Sequence, residues 1–468
     1  MRRAGTVLTE RGRTLWEHLA LVALGIGGPF AYAMASPIYS SADEAAHVDY
    51  ALRVWGGSLP VFEDALQLQI SVGATPPVQW TSQHPPLLYV LLAPVVGPLV
   101  GAGHPLLAGM AARGVVVLLS LGLVYAVRAA ALALAPARKD SALAAAAVIA
   151  LSLWFIRLGG SVYNDMLAAL MVALCFAFAA RLVRGSARRR DVLLFVAAAS
   201  GCALSRLSAI PLALSFAVAV GVGAFLLAGR SRRLALAAAV GAPLLMVLTS
   251  GWFYLRNYVL TGTIAGGNTE WAIAELGRQR RPFWDVAFDA EFWSTMTGQF
   301  ATPSIGSTAY LVCNLALMLA PAIAGLVLYL RSGDDAGAAR GPRILLVVTF
   351  LAACGGVGVM QVLYTAGAGA ANSRYFFVVI PLVAVFVATA LVPQRGTAWL
   401  LLVWLVVRVP LVASELVVTL GREFTVPQAP ISPVLAWCGY GILALGAAAT
   451  AVLVAPERVR VRLPRARI

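Results

Sequence analysis

Apolar runs of roughly 20 residues, enough to cross a hydrocarbon core about 30 Å thick, recur along the whole chain. They cover 17–36, 108–135, 141–157, 165–183, 192–208, 210–229, 234–252, 307–330, 343–363, 375–392, 397–419 and 433–455. This pattern predicts an all-α polytopic membrane protein with about twelve transmembrane helices. Short arginine clusters separate many of the runs, at 137–140, 181–190, 230–233 and 331–343, with another basic position at 395 and at both termini. Positive residues stay on the cytoplasmic side, so both ends are expected there. The opposite side then holds two long connections, 37–107 and 253–306, and shorter ones near 158–164, 364–374 and 420–432. Long loops that carry tryptophans and carboxylates point to function more than to simple linkage. Within the first, Asp43–Trp55 predicts a short amphipathic helix lying on the membrane. Residues 86–102 are apolar but broken by proline and glycine, and are read as interfacial or re-entrant. If they spanned, every basic cluster downstream would face outward, against the charge rule.

Composition agrees with the pattern. The chain has 468 residues, 60% hydrophobic and 12% charged, with a mean hydropathy of +0.85. Soluble domains are about half apolar and a quarter charged, so a water-soluble enzyme is excluded. The net charge of +15 would suit a nucleic-acid partner, but its placement between spans assigns it to membrane topology instead. Lys139 is the single lysine, and alanine is abundant, which suits close helix packing and a GC-rich bacterial genome. Cys175, Cys202, Cys313, Cys354 and Cys438 lie in apolar stretches without paired spacing, indicating neither disulfides nor zinc. The arginine-led first run with Ala-x-Ala at Ala31–Ala33 imitates a signal peptide and is expected to be an uncleaved first span.

Five short constellations could carry chemistry, all on the side opposite the arginine clusters. Asp43 and Glu44 with His47 follow the first span; acidic residues there either favour a helix N-terminus or serve a site. Gln83-His84-Pro85-Pro86-Leu87-Leu88-Tyr89 is a proline-fixed corner. Tyr163-Asn164-Asp165 opens a span, where Asn164 or Asp165 could cap the helix. Trp252-Phe253-Tyr254-Leu255-Arg256-Asn257 and Asn372-Ser373-Arg374-Tyr375 each place an arginine at an outer helix end. A guanidinium there either snorkels or meets an anion, and its planar fork matches phosphate.

In this order the motifs resemble the GT-C superfamily of integral membrane glycosyltransferases. The likeness is strongest to the bacterial protein mannosyltransferases and lipid A aminoarabinose transferases, and to an uncharacterised bacterial subgroup. It rests on Asp43-Glu44, HPPLLY at 84–89, YND at 163–165, WFYLRN at 252–257 and SRYFFVVIP at 373–381. Helices 397–455 carry no matching motif, and Arg278, Arg280 and Arg281 in the second long loop align with none. The resemblance implies a polyprenyl-phosphate sugar donor, an acceptor hydroxyl (of a glycan, lipid or protein) on the extracytoplasmic face, and inversion at the anomeric carbon. It implies Asp43 as general base, Glu44 as a neighbour orienting acceptor or ion, and Asp165 as the second acidic position. Arg256 and Arg374 become candidate phosphate ligands, with His47, His84, Tyr89, Asn164, Asn257 and Tyr375 as further substrate contacts. A divalent cation between the carboxylates is left open. Residues 1–306 would form the catalytic module and 307–468 would complete the lipid-donor site, in a bacterial inner membrane. The rival reading is a multi-pass transporter or flippase, whose ionisable residues would sit nearer the bilayer midplane in paired broken helices.

Overall fold

The computed structural model describes residues 10–297, 312–313, 315–332, 339–393, 398–421 and 432–455. Among these the regular elements are all helical, and nine helices are long and apolar enough to cross a membrane, or ten if one bent pair counts as a span. In chain order the first are α1 (Glu10–Ala35), α2 (Ala42–Trp55), α3 (Leu87–Gly101), α4 (Pro105–Leu134) and α5 (Lys139–Ala150). They continue as α6 (Leu153–Gly159), α7 (Asp165–Val183), α8 (Arg189–Ser205), α9 (Ile210–Ala224) and α10 (Gly229–Thr261). Further spans are Arg340–Ala366, Ser373–Leu391, Trp399–Leu420 and Pro433–Val454. The start of the run expected at 307–330 lies outside the described residues, which pick it up as a helix over Ala316–Arg331. The connection near 420–432 lies almost wholly outside them.

The structure changes two expectations and gives a third its form. The run 141–157 is not one straight span, because α5 and α6 meet at a 64° bend. Such a bend releases backbone carbonyls that apolar surroundings cannot satisfy. The Leu151 carbonyl there accepts from the guanidinium of Arg408, buried on Trp399–Leu420. Secondly, α10 has 33 residues and continues through the WFYLRN motif to Thr261, so the second long connection begins later than hydropathy indicated. Finally, residues 87–101 form a helix of 15 residues, about 22 Å long by helical rise and shorter than the hydrocarbon core. It packs against α2 and α4, and Pro86 stands as its N-cap.

The α7 helix is the centre of the bundle, with 78% of its apolar window buried between α4, α8 and α9. On the other side α1 packs along Pro433–Val454 through glycines. A Cβ on Gly27 would stand 2.5 Å from the Leu443 backbone nitrogen and 2.8 Å from the Gly439 carbonyl oxygen. Backbone contacts of this kind cannot be relieved by turning a side chain. Gly27→Ala is therefore expected to cost about 1–3 kcal/mol, read as a lower thermal unfolding midpoint in detergent. Gly114→Ala, whose Cβ would meet nothing within 4 Å, should leave the midpoint unchanged or raise it.

Candidate active site

The first connection is built around charges that sequence reading did not single out. Arg113, in α4 and 1% exposed, donates to both oxygens of Glu44 at 2.7 Å. It also donates to the carbonyls of Ala33 (2.9 Å), Ser36 (2.8 Å) and Pro37 (2.9 Å), in the last turn of α1 and just beyond its end. Glu44 in turn accepts from the backbone of Tyr39 (3.1 Å) and Val162 (3.2 Å). One ion pair thus gathers the end of α1, the start of α2, α4 and the connection into α7. Tyr39 holds a left-handed φ of 56°, a conformation costly for a bulky residue and kept by these bonds. Asp49, fully buried further along α2, accepts from Gln67 and Leu68 backbone and from Gln79, and so orders the remainder of the loop.

Asp43 and Glu44 do not face a common point. Neighbours on a helix point about 100° apart, and the two have separate partners. Glu44 is buried against Arg113, whereas the Asp43 side chain is 32% exposed and pairs with Arg374 at 3.0 Å. Burial alone would raise the Asp43 pKa, but the Arg374 charge outweighs it and holds the carboxyl below its ordinary 3.8. The Trp80 indole N–H faces the same carboxylate and helps to lower its pKa.

Arg374 also reaches Asp165, whose Oδ2 lies 4.0 Å from its Nε. Asp165 is buried at the start of α7 and lies 2.8 Å from Arg206, near enough to pair but off the direction of a hydrogen bond. Arg206 donates to Asn164 at 2.9 Å, and Asn164 donates to the Ser205 carbonyl at 3.0 Å. Asn164 therefore ties α7 to the break between α8 and α9, and its side chain caps no helix. Tyr375 lies beneath both guanidinium groups, with ring distances of 5.2 Å to Arg206 and 5.3 Å to Arg374. The outcome is an alternating row, Asp43–Arg374–Asp165–Arg206, from four distant stretches of chain.

Beside it stands an aromatic stack. His47 bonds the Tyr89 hydroxyl at 2.9 Å and lies 5.7 Å from the His84 ring, with Tyr50 stacked on Tyr89 at 3.6 Å. Burial drives the His47 pKa down to about 3 and that of His84 well below 6.5, so both rings are neutral near pH 7. Arg256 and Asn257 are placed elsewhere. Arg256 donates to the Pro60 carbonyl at 2.7 Å and Asn257 to the Gln83 carbonyl at 3.2 Å, so they secure the first loop to α10. The second basic group beside the site is instead Arg206, an arginine inside the run 192–208. That interruption of an apolar stretch was its only signal, since ionisable residues there need a reason. Arg280 and Arg281 form exposed pairs with Glu270 and Asp289, of a kind that contributes little.

Among the described residues no group of three or more His, Cys, Asp or Glu side chains could hold a metal ion. A divalent cation shared by Asp43 and Glu44 does not fit these residues, because Glu44 is taken up by Arg113 and Asp43 by Arg374.

No known family description and no curated protein sequence matches this chain. Among solved structures it is similar to ArnT from Cupriavidus metallidurans bound to undecaprenyl phosphate, at 18% identity and a TM-score of 0.47, over 94% of this chain and 77% of that one. It is also similar to the Archaeoglobus fulgidus oligosaccharyltransferase tethered with an acceptor peptide, at 11% identity and a TM-score of 0.48, over 95% and 56%. A third is AglB from the same archaeon with an inhibitory peptide and a dolichol-phosphate, at 12% identity and a TM-score of 0.45, over 94% and 55%. This chain spans little more than half the length of the archaeal proteins.

Proposed function

We propose that the chain is an inverting glycosyltransferase that moves a sugar from a polyprenyl-phosphate donor to an acceptor hydroxyl at the extracytoplasmic face. The observation that carries this reading is the Asp43–Arg374–Asp165–Arg206 row, in which Asp43 is the most exposed charge. Its side chain is 32% exposed, against 15% for Arg374, 9% for Arg206 and 1% for Asp165. An entering substrate therefore meets Asp43 first, with two arginines behind it.

The chemistry needs one base and a place for negative charge. The acceptor oxygen attacks the anomeric carbon, its proton passes to the Asp43 carboxylate, and the bond from carbon to phosphate oxygen breaks. The electron pair leaves with the lipid phosphate, stabilised by guanidinium groups already oriented for it. In the absence of donor the two arginines neutralise the two aspartates. An arriving phosphate competes for Arg374 and loosens its hold on Asp43, which frees the base as the donor binds. Asp165 keeps Arg206 and Arg374 in place, and Glu44 positions Asp43 through Arg113. Neutral His47 and His84 form a wall that can accept or donate hydrogen bonds to sugar hydroxyls without adding charge. Residues 307–468 complete the site by supplying Arg374 and Tyr375.

The test is incubation of the detergent-purified chain with a panel of polyprenyl-phosphate sugars and a membrane-extract acceptor. Release of polyprenyl phosphate, followed by mass spectrometry, should require acceptor. No acceptor-dependent release with any donor in a folded sample would count against the reading. Because Arg374 pairs with Asp43 and Arg113 with Glu44, turnover is expected to persist within about twofold in excess EDTA. A loss restored by added Mg²⁺ or Mn²⁺ would show that a cation displaces one of these arginines.

A further inference from the structure

A basic cleft lies at the other end of the bundle. The α7 helix starts at Asp165 in the site and ends at Val183, about 28 Å away by helical rise. There the start of α8 and the start of α10 form the walls of a cleft of about 540 Å³. Its lining includes Arg188, Arg189, Arg190, Arg230, Ser231 and Leu234, with no carboxylate. The adjacent Asp191 is already engaged, by Arg181 at 3.0 Å and by the Arg188 backbone at 2.7 Å. No ion pair satisfies the four lining arginines among the described residues. No side chain caps α10, so its first-turn N–H groups add donors at a dipole's positive end.

The surroundings select among anions. Continuing along the same helices, Leu193 is 71% exposed and Leu194 46% on α8, with Val240 66% on α10. These residues present an apolar surface beside a basic cleft, which matches a ligand with a phosphate head and hydrocarbon chains. A soluble phosphate would gain nothing from that neighbouring surface.

We propose that this cleft holds the head-group phosphate of an anionic phospholipid, separate from the Asp43 site. Arg188, Arg189, Arg190 and Arg230 contact the phosphate, and the acyl chains lie along the exposed leucines of α8. Arg232 and Arg233 share the same helix end but not the lining, and Arg232 sits over Phe225 at 5.7 Å. They provide a control with equal charge.

The experiment is native mass spectrometry of the full chain in detergent, titrated with phosphatidylglycerol or phosphatidylcholine. Phosphatidylglycerol should bind at least tenfold more tightly. R189Q/R230Q should lose about thirtyfold, at about fivefold per arginine near a lipid phosphate. R188Q/R190Q should show a similar loss, as an independent pair, while R232Q/R233Q retains affinity within about twofold. Equal losses in the control pair would reduce the cleft to diffuse surface charge and overturn the proposal. Displacement of the lipid by inorganic phosphate at matched concentration would identify a soluble anion as the ligand and overturn it equally.

Discussion

Asp43→Asn is expected to reduce polyprenyl-phosphate release by about 10²–10⁴-fold, the usual contribution of a positioned general base. The amide keeps the shape of the side chain but cannot take the acceptor proton. Arg374 would still be held by Asp165, so the phosphate side of the site should persist and donor binding should weaken much less than turnover. A comparison of kcat with donor affinity therefore separates loss of the base from loss of the site. The pH dependence carries the same signature. Asp43 works as a base only when ionised, and in the free protein Arg374 holds its carboxyl below 3.8, so the acid limb of kcat/KM should fall below the ordinary carboxylate range. His47 stays neutral down to about pH 3, so no inflection near 6.5 is expected from it. Undiminished release by the asparagine variant would remove Asp43 from the mechanism and direct attention to Asp165.

The second large effect is on stability. Arg113→Ala should destabilise the protein by about 3–5 kcal/mol, because it strands the Glu44 carboxylate in a buried position and leaves three carbonyls without a donor. The damage should concentrate in the first connection, visible as faster hydrogen exchange over 36–55 and at 162. The double variant Arg113→Met/Glu44→Gln removes both charges and is expected to recover part of the loss, since an uncompensated charge is worse than none. If Arg113→Ala unfolded at the wild-type midpoint, the ion pair would not be the organiser of this end of the bundle. Glu44→Gln alone offers a gentler probe. Turnover should fall with it while the acid limb of the pH profile stays in place, as expected of a residue that positions Asp43 without exchanging protons with substrate.

The sequence already contained the membrane architecture. A bilayer forces backbone polar groups to bond within the helix, so hydropathy alone marks helices over 165–183 or 433–455. Arginine placement distinguished one set of connections from the other. The proline pair 85–86 marked where α3 begins, and the acidic start of α2 was legible at Ala42–Trp55. Other features depend on which helix faces which. Asp43 and Glu44 look equivalent as letters, yet the helix turns them toward different neighbours, and those neighbours lie 331 and 69 residues away in Arg374 and Arg113. Arg256 and Arg206 are likewise indistinguishable as arginines near span ends. Tertiary packing sends Arg256 to the Pro60 carbonyl and brings Arg206 to Asp165. The physical reason is range: apolar periodicity and turn chemistry act within a few residues and are written locally. A buried charge is stabilised by whatever partner the folded bundle brings within about 3 Å, and only the assembled helices decide that.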